Sequence, residues 1–126
     1  LRPRIEQMPY AVTPFEVRNY LTANGTAPFE SWVNCLRDRK AVAIIFARLG
    51  RVRMGNLGNC EPVGGGVSEL KIDYGPGYRV YFGRADTQTF ILLYGGVKKT
   101  QRQDIKKAKK FWTDFGRRQY ENQQIP

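Results

Sequence analysis

The chain has 126 residues, enough for one hydrophobic core and little more, and its 41% hydrophobic and 13% aromatic content suits a packed interior. With 21 Lys and Arg against 11 Asp and Glu it carries a formal charge of +10, which draws it to polyanions: nucleic acid, an acidic protein or an anionic surface. It has no histidine, its two cysteines lack a metal-ligand spacing, and no apolar run nears the roughly 20 residues of a membrane span. Zinc, haem and transmembrane classes are therefore excluded.

The first residues, "LRPRIEQMPYAV", lack the basic-then-apolar layout of a secretory signal. Residues 1–12 are read as an N-terminal extension, with Met8 as a candidate start, residues 13–118 as one domain and 119–126 as a C-terminal tail. In "PFEVRNYL", Phe15, Val17 and Leu21 alternate with Glu16, Arg18 and Tyr20 up to the turn signal Asn24-Gly25, which predicts a first strand. Pro28 then opens a short amphipathic helix with Phe29, Trp32, Val33 and Leu36 on one side. A second helix is predicted from Asp38, an N-cap, to Met54, where Gly55-Asn56 stops it. Val42, Ile45, Phe46, Leu49 and Val52 share its inner side, and Lys40, Arg48 and Arg51 fall opposite, as a solvated face or a groove wall for anions.

"NLGNCEPVGGG" is a loop by composition, and its glycines are not followed by a helix, so it is a poor match to a phosphate-binding loop. Three strands follow in "VSELKIDY", "YRVYFGR" and "QTFILLY", joined by short turns as an antiparallel meander. Phe90 to Tyr94 is apolar on both faces and belongs inside the sheet. The last helix carries a capping-box pattern at Thr100 and Gln103, a buried stripe of Ile105, Ala108, Trp112 and Phe115, and a stop at Gly116. Lys106, Lys107, Lys109 and Lys110 make it strongly basic. The predicted order is β-α-α-β-β-β-α, an α+β domain with a small, mainly antiparallel sheet.

The hairpin in "GVSELKIDYGPGYRVYFGR" holds the most informative polar residues. A three-residue Gly75-Pro76-Gly77 loop pairs Asp73 with Arg79, Ile72 with Val80, Lys71 with Tyr81 and Leu70 with Phe82. Glu69, Lys71, Asp73, Arg79 and Tyr81 then share one face. That face is either an exposed cross-strand network or a cationic platform on which Tyr81 stacks against a base. Lys98 and Lys99 arrive at the end of the same sheet, before a helix N-terminus that favours anions. Without imidazole, proton transfer near neutral pH falls to Lys, Arg, Tyr, Asp, Glu or Cys with shifted pKa.

The motifs "GVSELKIDYGPGYRVYFGR" and "LLYGGVKKTQRQDI", within residues 13 to 116, resemble the addiction-module killer proteins of the RelE/HigB-like toxin family. The resemblance implies a RelE-like fold, a partner antitoxin of the helix-turn-helix DNA-binding kind and, as in many members, cleavage of messenger RNA, often on the ribosome. The two cysteines without a disulfide framework point to a cytoplasmic chain with free thiols, and the lack of a metal-ligand cluster to metal-independent cleavage with no cofactor. Arg79 matches the arginine at the scissile phosphate, Lys71 a strand lysine, and Lys98 the basic residue after the last strand. Glu69 corresponds to a glutamate that some members use as base. Tyr81, Lys99, Gln101, Arg48 and Arg51 are the expected further RNA contacts. Asp104 and Ile105 stand where several active members carry a C-terminal Tyr or His. A gyrase-poisoning toxin of the same fold and a non-enzymatic RNA-binding domain are the alternatives, and Lys71, Arg79 and Lys98 favour the nuclease.

Overall fold

The computed structural model describes residues 14–124. Along the chain run β1 (Glu16–Asn19), α1 (Pro28–Asn34), α2 (Arg39–Arg53), β2 (Cys60–Gly64), β3 (Val67–Ile72), β4 (Tyr78–Asp86), β5 (Thr89–Val97), a 3₁₀ turn (Lys98–Thr100) and α3 (Gln101–Gln124). The strands form one sheet in the order β1-β5-β4-β3-β2. Neighbours from β5 to β2 are antiparallel, and β1 lies parallel to β5. The class is α+β, with a mixed sheet, two N-terminal helices and a long C-terminal helix.

The N-terminal helices begin as their sequences direct. Pro28 opens α1, where its missing N–H costs nothing, and the Asp38 carboxylate accepts the Ala41 backbone N–H at 3.1 Å to cap α2. β5 is interior, between β1 and β4, and its side chains serve two cores. Phe90 and Leu92 join Leu70, Ile72, Val80 and Phe82 under α1 and α2; Ile91 and Leu93 join Val67 and Tyr81 under α3.

The meander has a strand more than expected. Cys60–Gly64, read as loop from its Gly, Asn and Pro content, pairs with β3 as the outer edge of the sheet. An edge strand tolerates Pro62 because its N–H is not needed by a second neighbour, and the register shifts there between Pro62 and Gly64. The hairpin register also differs. Lys71 lies opposite Arg79, Leu70 opposite Val80 and Glu69 opposite Tyr81, two residues from the expected pairing. A slip of two preserves every residue's face, so the apolar pattern cannot detect it. The loop chemistry decides: Gly75 and Gly77 both take positive φ (55° and 78°), and the Gly77 N–H donates to the Tyr74 carbonyl. That makes a longer turn over residues 73–77.

α3 runs through Gly116 to Gln124 instead of stopping, so much of the expected C-terminal tail is helical. The extra turns are held by Asp114 with Arg117 and Arg118, and by Arg117 with Glu121. The expected capping box is replaced, since the Thr100 hydroxyl lies 2.5 Å from Asp104 Oδ2 instead of engaging Gln103. Cys35 and Cys60 are free thiols. Among the described residues no helix is long and apolar enough to cross a membrane.

Candidate functional site

The polar face of the β3–β4 hairpin is an interior surface. α3 lies across it through Ala108, with Ile105, Phe111, Trp112 and Phe115 half-buried around it. Glu69 is 2% exposed, Arg79 8% and Tyr81 0%, which corrects the expected solvent-facing platform. The reason is that α3's apolar stripe needs a partner, and Val67, Ile91 and Leu93 on this face supply one.

Within that interface each charged group is placed by a definite contact. Gln101, the first residue of α3, donates its amide to both oxygens of Glu69, at 2.8 and 2.9 Å. Lys71 Nζ reaches Glu61 Oε2 at 3.0 Å and stands 4.0 Å from Glu69 Oε1. Arg79 Nη1 donates to its neighbour's carbonyl, Tyr78 O, at 3.1 Å, while its Nε has no partner among the described residues. The Tyr81 hydroxyl is likewise buried and unpartnered. Burial, then the Glu69 and Asp104 carboxylates, push this phenol above its ordinary range against the opposing pull of Arg79, so it stays protonated.

Lys98 joins the group through the hairpin loop. Its backbone N–H donates to Gly77 O at 2.7 Å, and a Cβ built on Gly77 would stand 3.4 Å from both Arg79 Nη1 and Lys98 Cβ. The 3₁₀ turn thus sets an exposed lysine beside the arginine. Asp104, 5% exposed, faces Gly96, where any side chain would overlap its carboxylate; Gly96 is the β5 neighbour of Arg79. Sequence reasoning gave Asp104 no role. The paired glycines 95 and 96 inside a strand were the available signal, because they mark close approach by another element.

Of the expected site residues, Glu69, Lys71, Arg79, Tyr81, Gln101 and Lys98 come together. Asp73 does not: it lies in the turn, exposed, away from Arg79. Lys99 is exposed on the far side of the 3₁₀ turn, beside Arg102 and Lys106. Arg48 and Arg51 belong to α2 on the other face of the sheet. Arg48 is buried and donates to three backbone carbonyls, Lys71 O at 2.8 Å, Leu57 O at 2.8 Å and Asn59 O at 3.0 Å. It ties the loop before β2 to the end of β3, which corrects its placement on a solvated face. The wheel that set it opposite the core ignored how far an arginine reaches to wrap a sheet edge.

The arrangement brings together a carboxylate bonded by an amide, a guanidinium with an unused donor, and two lysines. Such a set can accept a proton and stabilise an anion. No family model matches the chain. It is 44% identical over 91 residues to an uncharacterised protein of Haemophilus influenzae, an alignment that spans 72% of this chain and 92% of that protein. By that extent and identity, this chain belongs to the same family as the Haemophilus influenzae protein.

Proposed function

We propose that the protein is the toxin of a type II toxin–antitoxin pair and acts as a metal-independent endoribonuclease on messenger RNA at the ribosome. The observation that carries this reading is the unspent hydrogen-bonding capacity of Arg79, buried beside Lys98 at the end of the sheet face. A buried donor left open costs about 1–3 kcal/mol, and a phosphate is the guest that would satisfy it. The sequence resemblance to RelE/HigB-like toxins adds the reaction class.

In this reading the RNA 2′-hydroxyl displaces the Gln101 amide from Glu69, and Glu69 takes its proton as the 2′-oxygen attacks the adjacent phosphorus. Arg79 and Lys98 stabilise the charge that accumulates on the phosphorane oxygens. The bond from phosphorus to the 5′-oxygen breaks, that oxygen takes a proton from solvent, and the products are a 2′,3′-cyclic phosphate and a 5′-hydroxyl. Lys71, 4.0 Å from Glu69 Oε1, adds a further cation beside the reacting groups. The antitoxin is a small acidic-surfaced protein, and the compartment is the cytoplasm.

A second reading, binding of RNA without cleavage, is favoured by one contact: Gln101 already occupies both oxygens of Glu69. Incubating the protein with ribosomes and messenger RNA, then mapping new 5′ ends, separates the two. Glu69→Gln should cut cleavage by about 10²–10⁴-fold while leaving RNA binding near wild type. Wild-type protein that binds RNA and yields no new ends establishes the second reading instead.

A further inference from the structure

The outward side of α2 is built unlike a solvent face. The helix contains no acidic residue, and its buried stripe is Ala41, Ile45, Arg48, Leu49 and Val52. On a wheel of about 100° per residue the opposite side presents Ala43, Ala47 and Gly50, with Phe46 and Met54 alongside. Phe46, expected on the inner side, is 48% exposed and Met54 68%, two of the four exposed large hydrophobic side chains among the described residues. A Cβ on Gly50 would meet nothing within 4 Å, so packing within this chain gives no reason for a residue that weakens a helix. Arg39, Lys40, Arg51 and Arg53, all exposed, rim this apolar strip. Among the described residues none of the four meets a carboxylate at ion-pair distance.

We propose that this face docks an acidic amphipathic helix of a protein partner. Apolar side chains of that helix would cover Phe46 and Met54, and its carboxylates would meet the cationic rim. Charge selects this occupant over the others. A second copy would set one cationic rim against another, on a chain of net charge +10. Residues 1–13 carry Arg2 and Arg4 against Glu6 and face the same repulsion. An RNA backbone gains nothing from Phe46 and Met54. The first turns of α3 suit it better, since they expose Arg102, Lys106, Lys107 and Lys110 with no large apolar side chain open among them. The inference deepens the antitoxin half of the reading above and is independent of its nuclease half, because α2 and the Glu69/Arg79 cluster lie on opposite faces of the sheet.

The probe is a synthetic amphipathic helix with leucines on one face flanked by glutamates, compared with its lysine-flanked twin by fluorescence anisotropy on the full chain. The glutamate peptide should bind and the twin should not. Phe46→Ser with Met54→Ser should weaken binding by about tenfold or more, and Arg39→Glu with Arg53→Glu, which neutralises the rim, should abolish the preference for the glutamate peptide. Both variants should unfold at the wild-type urea midpoint and cleave RNA at the wild-type rate. Equal binding of both peptides, indifference to the serine substitutions, or self-association of the wild-type chain that the serine substitutions abolish would overturn the proposal. Wild-type protein that binds the glutamate peptide and cleaves nothing removes the nuclease reading and leaves the docking face standing.

Discussion

The two faces of the one sheet are buried to similar depth and made of different material. Toward α1 and α2, Leu70, Ile72, Tyr78, Val80, Phe82, Phe90 and Leu92 meet Phe29, Val33, Ala41, Ile45, Leu49 and Val52. The charged intruder there, Arg48, is matched by three carbonyls at the sheet's end. Toward α3, the apolar Val67, Ile91 and Leu93 share the layer with Glu69, Arg79 and Tyr81, and both buried side-chain atoms without partners among the described residues lie on this side. A face that only held the fold together would shed those groups, because each open donor or hydroxyl is a standing cost. The first face supplies stability, and the second gives some of it up to hold charge in place.

The contrast breaks first if the dry face proves expendable. Leu70→Ala leaves a cavity under α2 and should lower unfolding free energy by about 2.7–5 kcal/mol in urea titration. A loss under about 1 kcal/mol would mean that the two faces do not divide the work. Next is Arg79→Ala, expected to reduce RNA cleavage by about 10²–10³-fold while the urea midpoint stays near wild type. Retained cleavage would move the anion site elsewhere. Tyr81→Phe comes third: removing an unpartnered buried hydroxyl should leave stability equal or raise it by about 1 kcal/mol. A clear loss would reveal a partner for that hydroxyl.

The smallest effect concerns the pin that fastens the far half of α3. The Tyr20 hydroxyl donates to Asp114 Oδ2 at 2.6 Å, and with Arg117 and Arg118 it holds this carboxyl at about 2 against an ordinary 3.8. A folded-state value below the unfolded one means that the ionised form stabilises. That contribution is complete above about pH 4 and fades as pH falls toward 2. Asp114→Asn should therefore flatten the acid limb of stability between pH 4 and 2, by less than about 1 kcal/mol given solvent screening. An unchanged limb would show that Asp114 does not fasten the helix.

What could be read in advance follows from local rules. Asp38 caps α2, Pro28 opens α1, and the unbroken apolar run in β5 marks an interior strand. Each depends on neighbours within a turn or on the alternation of one strand. The same alternation grouped Glu69, Lys71, Arg79 and Tyr81, because faces survive any even slip of register. What lay beyond reach depended on distant groups. β2 exists because β3 offers it an edge, Arg48 is buried because the carbonyls of residues 57, 59 and 71 converge on it, and α3 passes Gly116 because Tyr20 and the arginines anchor Asp114.

The sequence by itself determined an α+β chain, its strongly cationic character, the extent of its first two helices and all of its expected polar face except Asp73, which the longer turn takes out of the strand. These are properties of composition and of spacings a few residues long. Only the tertiary structure decided that the polar face lies beneath α3, that Gln101 clamps Glu69, and that Lys98 is hooked beside Arg79. Those facts require segments about twenty to forty residues apart to meet, and which of two apolar surfaces meets which is settled by packing the whole chain at once.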